Sequence, residues 1–290
     1  MTRRGALLFA AMCVIWGVPY LMIRVAVREL TPATLVFLRT ALGALLLTPF
    51  AATRGELRPL VARWWPLLAY SLIEVAIPWV LLARAETKLT SSLTGLLIAA
   101  VPLVGAVVVA LTGDRERQGA RRWLGLLVGI GGVAALVGLD LGRADLLSVG
   151  EIGCVAVCYA VGPIILSRRL SDVPALGVVA ASLVISALVY LPFGVAQRPS
   201  SMPGSHVVLS VVGLAVVCTA LAFLVFFALI AEVGPVRATV ITYVNPAVAA
   251  ILGVTILSEH LTTGMLVGFA LILGGCVLAT GRGPEPVAEA

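Results

Sequence analysis

Two charged residues lie deep inside apolar stretches of this sequence, where ionised groups are rare. Glu74 is in the middle of an apolar run at 65–84, and Arg39 is about two turns into another at 33–53. A charge at the centre of a bilayer costs about 2.5–3.5 kcal/mol on insertion scales, so such a residue normally faces a cavity or a partner. Glu74 could bind a substrate or a coupling proton. For Arg39 we favour a structural role, such as an ion pair with Glu74. It could also extend outward to the membrane surface, or bind a carboxylate or phosphate through its planar fork.

A second group of candidates consists of aromatic and amide side chains in the middle of apolar runs. Aromatic rings there can stack on an organic solute or a cation, or they can simply pack against neighbouring helices. Asn245 needs a polar partner at that depth, because lipid offers none. We therefore predict a central substrate site between the helices. Its predicted lining residues are Trp16, Glu74, Trp79, Tyr159, Tyr243 and Asn245.

Two prolines, Pro102 and Pro246, are also predicted to lie in mid-helix. Proline has no N–H and leaves the carbonyl four residues before it without its helical partner. In transporters, backbone exposed in this way near the midplane often lines the binding site. Each proline therefore predicts either a helix break at the site or a kink that serves packing alone.

Signatures of catalysis and of cofactor binding are missing from the sequence. It contains no nucleotide-binding Gly-rich loop, no zinc-protease motif and no serine-hydrolase elbow. The five cysteines all fall within apolar runs, and Cys154 and Cys158 share a helix face without a histidine or carboxylate beside them. We expect no metal, no cofactor and no enzymatic activity. Transport by this chain would be driven by a gradient or would be passive exchange.

The elements that must position these residues are membrane-spanning helices. Mean hydropathy is +1.12, with 61% hydrophobic and 12% charged residues, far more apolar surface than a soluble domain can bury. A spanning helix needs about 20 mostly apolar residues, and about ten such runs occur. We predict an all-α polytopic membrane protein with spans at 5–25, 33–53, 65–84, 91–112, 121–139, 148–168, 175–195, 207–230, 235–257 and 263–281.

Basic residues between the runs predict the orientation. The net charge of +6 comes mostly from these breaks, and no basic stripe with interleaved aromatics indicates nucleic-acid binding. If the N-terminus is inside, twelve basic residues face the cytoplasm and five face outward. Three further arginines lie within spans and are not counted. Because cytoplasmic loops carry the excess of Lys and Arg, both termini are predicted to be cytoplasmic. We expect a multi-pass protein of the inner (plasma) membrane.

The two halves of the chain repeat each other. Gly125, Gly131, Gly132 and Gly138 recur at one constant interval as Gly268, Gly274, Gly275 and Gly281, and the same shift carries Glu116 onto Glu259. Close helix packing explains why glycines are there but not why they share a register. Five spans in each half reverse the direction of the second half. We therefore predict two inverted five-helix repeats, at 5–139 and 148–281, followed by a disordered tail at 282–290.

Several ordered motifs resemble those of EamA-type transporters of the drug/metabolite transporter superfamily. Ile15-Trp16-Gly17, Thr31-Pro32 and Phe37-Leu38-Arg39 resemble its first two helices, and Thr90-Ser91-Ser92 through Val101-Pro102-Leu103 resembles its fourth. Tyr243-Val244-Asn245-Pro246 with Ser258-Glu259-His260-Leu261 resembles the equivalent part of its second repeat. The resemblance covers about residues 5 to 281 and implies a ten-helix transporter with an arginine at position 39.

The leading hypothesis is a secondary transporter that works by alternating access. We expect export of an amino acid or a similar small solute, with proton coupling through Glu74 as one option. A phosphate-bearing substrate should demand several facing cations, and Arg39 is the one deep candidate, although a nucleotide-linked metabolite carrier of the same fold remains open. The other alternative is a non-transporting membrane protein, either a lipid-modifying enzyme or a helical scaffold. The expected partners are a small-molecule substrate and the lipid bilayer; the sequence leaves the oligomeric state open, and a monomer is compatible with it.

Overall fold

The computed structural model describes residues 2–112, 120–138 and 146–280, and all the regular elements in these ranges are helical. Nine described helices are long and apolar enough to cross a membrane, and a tenth at Ile241–Leu257 is shorter. These helices confirm the predicted all-α fold. We number them α1 (Arg3–Ala26), α2 (Pro32–Thr53), α3 (Arg58–Ala85), α4 (Ser91–Ile98 and Val101–Thr112), α5 (Ala120–Gly138), α6 (Leu146–Arg169), α7 (Ala175–Ala196), α8 (Ser205–Val233), α9 (Pro235–Ala238 and Ile241–Leu257) and α10 (Thr263–Thr280).

Threonines define where three of the helices begin. Thr2, Thr31 and Thr90 precede α1, α2 and α4, and each side-chain oxygen accepts a hydrogen bond from a backbone N–H of the first turn. Such a cap satisfies a donor that the helix itself cannot pair. Pro32 then occupies the first helical position of α2, where its missing N–H costs nothing.

Two spans contain a π-helical turn near their middle, which the sequence did not lead us to predict. In α3 the turn covers Ser71–Ala76, and in α8 it covers Val216–Leu221. In α3, Pro78 cannot donate the helical hydrogen bond to the carbonyl of Glu74. In α8, the Thr219 hydroxyl donates to the Leu214 carbonyl at 2.8 Å, five residues back. Turns of this kind widen a helix locally and often occur at functional sites.

The two prolines behave differently from each other. The α4 helix is interrupted at 99–100 and resumes at Val101, one residue before Pro102. Pro246, in contrast, lies inside the continuous segment Ile241–Leu257, and the interruption of α9 comes earlier, at 239–240. Of the two alternatives given for Pro246, the structure does not show the helix break. Pro246 leaves the Thr242 carbonyl, four residues before it, without its helical partner, but the helix continues on both sides of the proline.

The helix contacts have the pattern expected of two copies related by a pseudo-twofold axis. Corresponding second helices, α2 and α7, pack against each other, and so do the fifth helices, α5 and α10. In the first half α1 packs on α8 and α9, and in the second half α6 packs on α3 and α4. Each helix of one repeat therefore has its nearest partners in the other repeat, which agrees with the predicted duplication.

Four of the glycines that share the repeat register form the closest of these contacts, between α5 and α10. We call Gly125, Gly132, Gly268 and Gly275 the glycine seam. A Cβ atom at Gly132 would lie 2.7 Å from the Gly268 carbonyl oxygen, and one at Gly268 would lie 2.7 Å from that of Gly132. The register thus reflects backbone-to-backbone packing of the two fifth helices, which small residues permit in membranes.

Replacing Gly132 with alanine is expected to destabilise the protein by about 1–3 kcal/mol, because the new Cβ meets backbone atoms that cannot rotate away. Thermal unfolding of the purified protein in detergent measures the effect. Gly131→Ala is the matched control, since nothing lies within 4 Å of a Cβ there. Alanine favours a helix over glycine by about 1 kcal/mol, so the control should unfold at the same temperature or slightly higher. Equal losses in both variants would contradict the seam.

Three features of the sequence analysis lie outside the described residues. They are Glu116, the first-repeat counterpart of Glu259, the part of the link between the predicted repeats at 140–145, and the end of the chain from Gly281 through the tail at 282–290.

Candidate substrate site in the helix bundle

Arg39 is buried in the middle of the bundle, with 7% of its surface exposed. Its Nε donates a hydrogen bond to Oγ1 of Thr219 in the π turn of α8, at 3.0 Å. Its guanidinium carbon lies 3.6 Å from the centre of the Trp79 ring, a cation–π arrangement. Among the described residues no acceptor lies within hydrogen-bonding distance of its two terminal nitrogens. The guanidinium is therefore fixed on one edge and free on the other.

Glu74 lies in the π turn of α3 and faces α6. Its Oε2 atom is buried and accepts no hydrogen bond from any described residue. This oxygen lies over Gly162, in the space that a side chain at that position would fill. The Glu74 carboxylate therefore fits against α6 because Gly162 has no side chain.

The alternative in which Arg39 and Glu74 form an ion pair is not realised. The ion pairs among the described residues join Arg54 with Glu56, Arg63 with Asp172 and Arg84 with Glu151, all near helix ends. Arg39 binds Thr219 and Trp79 instead. Tyr159 of α6 lies within electrostatic range of Arg39 and of Glu74, so this tyrosine links the surroundings of the two residues.

The pseudo-symmetry explains how these residues came together. Glu74 and Thr219 are each the fourth residue of a π turn, so Thr219 is the counterpart of Glu74 in the second repeat. Arg39 and Ser182 are likewise each the eighth residue of their helices. Ser182 receives a hydrogen bond from Ser71 at 3.0 Å, as Thr219 receives one from Arg39. The second helix of each repeat thus forms a hydrogen bond with the π turn of the opposite repeat. Only the bond between α2 and α8 involves a charged side chain, Arg39.

Trp16 contacts two phenylalanine rings of α8, one of which packs against the cluster that contains Trp79. Its ring centre is 4.7 Å from that of Phe226 and 6.2 Å from that of Phe223, both in α8. Phe223 and Tyr159 pack against the same buried cluster that contains Trp79. Of the six predicted lining residues, Trp79, Tyr159 and Glu74 are therefore linked through Tyr159, and Trp16 is connected to them by way of Phe223.

Tyr243 and Asn245 have other partners. The Tyr243 hydroxyl lies 3.4 Å from Oγ1 of Thr280 in α10. With its amide oriented so that the nitrogen donates, Asn245 bonds the main-chain carbonyls of Cys13 at 3.1 Å and of Ile241 at 3.0 Å. Asn245 thus satisfies the polar requirement of its depth by joining α9 to α1. We do not place these two residues in the cluster around Arg39.

Two grooves are described, and neither includes the cluster. One has a volume of about 320 Å³ and is lined partly by Arg28, His206 and Ser210. The other, of about 390 Å³, is lined partly by Arg84, Tyr190 and Gln197. Both grooves lie near the helix ends on one side of the bundle, whereas Arg39 is buried in the middle of the bundle.

Sequence reasoning missed Thr219, which holds the guanidinium. The constant interval of the repeat carries Glu74 onto Val217, two positions before Thr219. A hydroxyl in an otherwise apolar span was the available signal, but threonine is common in such spans and the π turn shifted the register. Tyr20 was missed for a similar reason: it is buried and within electrostatic range of Arg39, yet it reads as an ordinary aromatic in α1.

The chemistry of the cluster is complementary to a small zwitterion. The free edge of a guanidinium binds carboxylates through two parallel hydrogen bonds. An unpartnered carboxylate oxygen accepts hydrogen bonds from an ammonium group. Because each buried charge lacks an ionic protein partner, a ligand that neutralises both would recover part of their desolvation cost.

Comparisons with known proteins agree with this architecture. The profile of the "EamA-like transporter family" matches residues 3–138 and 152–281. The chain is 28% identical over 280 residues to the "Uncharacterized inner membrane transporter YedA" of Escherichia coli (strain K12), covering 93% of this chain and 88% of that protein. It is 25% identical to the "Uncharacterized transporter YvbV" of Bacillus subtilis (strain 168), covering 99% and 95%. A crystal structure superposes with a TM-score of 0.68 at 22% identity, covering 95% of this chain and 96% of the other, which shows a shared fold.

Proposed function

We propose that this chain, which belongs to the EamA-like transporter family, is a secondary transporter of amino acids or similar small zwitterionic solutes. The observation that carries the proposal is the pair of buried ionisable side chains Arg39 and Glu74, which have no ionic partner among the described residues. Trp79 stacks on Arg39, and Tyr159 lies within electrostatic range of both. Family membership supports a membrane transporter. The substrate class, the direction and the coupling are our inferences.

Alternating access is the proposed mechanism. Two inverted repeats can adopt two nearly equivalent packings, one open to each side of the membrane. The family profile matches two separate segments, which supports a division into repeats at 5–139 and 148–281. In this cycle the Arg39 cluster stays near the midplane while the helix ends open and close around it. We propose that the net direction is export.

The proposed binding mode assigns one role to each charge. Arg39 binds the substrate carboxylate through its terminal nitrogens, and Glu74 accepts a hydrogen bond from the ammonium group. Trp79 and Tyr159 cover the apolar part of the solute. In the empty protein Glu74 can take up a proton in place of the ammonium group, and this exchange is the proposed route to proton coupling.

Binding measurements on the purified protein test the substrate class. The panel comprises neutral amino acids, simple amines, monocarboxylates and nucleotide sugars, with binding followed by calorimetry or by thermal stabilisation. Neutral amino acids should bind more tightly than amines or monocarboxylates of the same size, because only they engage both charges. Tighter binding of nucleotide sugars, or equal binding of amines and amino acids, would overturn the assignment.

We further propose an inner-membrane location with both termini in the cytoplasm. The relative in Escherichia coli is named an inner membrane transporter, and the twelve-to-five bias of basic residues favours this orientation. Tags at either end should resist an impermeant labelling reagent in intact cells and react after permeabilisation. Labelling of either terminus from outside would contradict the orientation.

A further inference from the structure

A second buried carboxyl group lies away from the Arg39 cluster, at one end of the bundle. Glu86 follows the last residue of α3 and has no exposed surface. Neither oxygen of its carboxylate accepts a hydrogen bond from any described residue. Arg24 of α1 is the nearby cation, and its NH1 donates to the main-chain carbonyl of Glu86. The arginine is therefore held by the backbone and not by the carboxylate.

Glu259 joins two helices beside this buried group. Its carboxylate accepts hydrogen bonds from the backbone N–H of Ser91 at 2.8 Å and of Ser92 at 2.9 Å. The two serine hydroxyls add bonds of 3.1 Å and 2.6 Å. Ser258, with a φ of 56°, turns the chain at the end of α9 so that Glu259 reaches the start of α4. We call Ser91, Ser92 and Glu259 the Glu259 clamp.

The clamp holds corresponding helices of the two repeats together. The start of α4 and the end of α9 meet at the same end of the bundle as Glu86 and Arg24, and the proposed topology places this end outside. For the outer end to open, these two helix ends must separate. Whatever weakens the clamp therefore favours an outward-open protein.

We propose that Glu86 is a proton-binding site that controls the Glu259 clamp, so that the outer end closes when Glu86 is protonated and opens when it ionises. The charged and titratable groups that face Glu86 are Arg24 and Tyr20 from α1 and Glu259 from the turn after α9. An ionised Glu86 would stand in the closed protein with no hydrogen-bond donor and with a second carboxylate close by. Separation of α4 from α9 would bring water to it and relieve both costs.

A proton fits this site better than a metal cation. The described residues contain no cluster of three or more acidic, histidine or cysteine side chains. The oxygens of Glu259 are already occupied by four donors from Ser91 and Ser92. Sodium would need several oxygen ligands, whereas a proton needs one oxygen of Glu86 alone.

The expected dependence on pH follows from the closed state. Burial raises the pKa of Glu86 well above its ordinary value; Arg24 partly offsets this, and the charge of Glu259 adds to it. When the end is open and wet, the carboxyl should titrate nearer the ordinary pKa of about 4.3. The closed form is thus fully favoured at low pH and loses stability as pH rises from the ordinary value to the raised one. One proton can change the closed-to-open ratio by at most about tenfold per pH unit.

Spin labels across the clamp test this inference in the full-length chain in lipid vesicles. Cysteines replace Lys88 and His260, two exposed positions flanking the clamp, after the five native cysteines have been substituted. Pulsed electron resonance then gives the distance distribution between the labels over a pH series. We expect a single short distance at low pH and a growing population of longer distances as pH rises.

Variants separate Glu86 from other causes. Glu86→Gln should keep the short distance at every pH, while Glu29→Gln, an exposed acid at the same end, should behave like the parent. Glu259→Gln should increase the long-distance population at every pH and keep the pH dependence. The inference is overturned if the parent shows no pH dependence, if Glu86→Gln keeps it, or if sodium at constant pH causes the shift. If Glu86→Gln does not fold, the pH series and the sodium control on the parent still provide two results that can overturn the inference.

This inference rests on the proposed transport cycle for its meaning, but its test needs no substrate. Failure of the binding panel would leave the clamp measurement intact. A clamp that ignores pH would leave amino-acid binding at Arg39 untouched.

Discussion

Replacing Arg39 with lysine is expected to weaken substrate binding by roughly 10- to 100-fold. Lysine keeps the positive charge but loses the planar fork that can hold a carboxylate while Nε is bonded to Thr219. A hydrogen bond to a charged group contributes about 1.5–3 kcal/mol, and about 1.4 kcal/mol corresponds to a factor of ten in affinity. Calorimetric titration of the purified variant with the best amino acid of the panel measures the loss.

Thr219→Val is the matched control for Arg39→Lys. It removes the acceptor of the Nε bond at 3.0 Å and leaves the guanidinium and its stacking on Trp79 in place. Binding should fall less than in the lysine variant, because positioning is loosened while the fork remains. If Arg39→Lys binds amino acids as the parent does and unfolds at the same temperature, Arg39 is a structural residue and not a binding one.

Replacing Glu74 with glutamine is expected to abolish the part of transport that a pH gradient drives, while substrate-for-substrate exchange continues with weaker substrate binding. Glutamine keeps the size and much of the hydrogen bonding of the side chain but cannot bind or release a proton in this range. The sequence offers no ATP-binding motif as another source of energy. Proteoliposomes loaded with substrate, with and without an imposed pH gradient, measure the two modes separately.

Gly162→Ala separates the position of the Glu74 carboxylate from its titration. The new methyl group would occupy the place of Oε2 and push the carboxylate aside, yet leave it able to titrate. This variant should transport more slowly in both modes while still responding to the gradient. A Glu74→Gln variant that responds to the pH gradient as fully as the parent would exclude Glu74 as the coupling site. A variant that does not fold would instead indicate a structural role.

Glu259, which the repeat register singled out, joins the end of α9 to the start of α4. The sequence paired Glu259 with Glu116 at a constant interval, although it gave no reason for an acid at either place. Glu259 caps the first turn of α4 with both serine hydroxyls and both backbone N–H groups. A carboxylate is favoured there because the start of a helix carries a partial positive charge and unpaired donors.

Much of the fold follows from the sequence alone, for reasons that act locally. Apolar runs of spanning length must form helices, because lipid cannot satisfy a bare backbone. The common register of the glycines predicted a duplication, and the seam between α5 and α10 shows close backbone packing at four of them. The rarity of charge in such runs was enough to single out Glu74 and Arg39. Each of these inferences depends on the type of one residue and its distance along the chain.

The partners of those residues were decided by tertiary structure. Arg39 bonds Thr219, which lies 180 positions away, and the π turns that bring the two together arise from small changes in helical hydrogen bonding. Asn245 had the polarity of a site residue, but its position in α9 faces the carbonyl of Cys13. Glu86 looked like one more charge at a span end until folding buried it. Depth along a span can be read from sequence, whereas the face of the helix and the identity of its neighbour depend on how ten helices rotate and cross, and no local pattern fixes those angles.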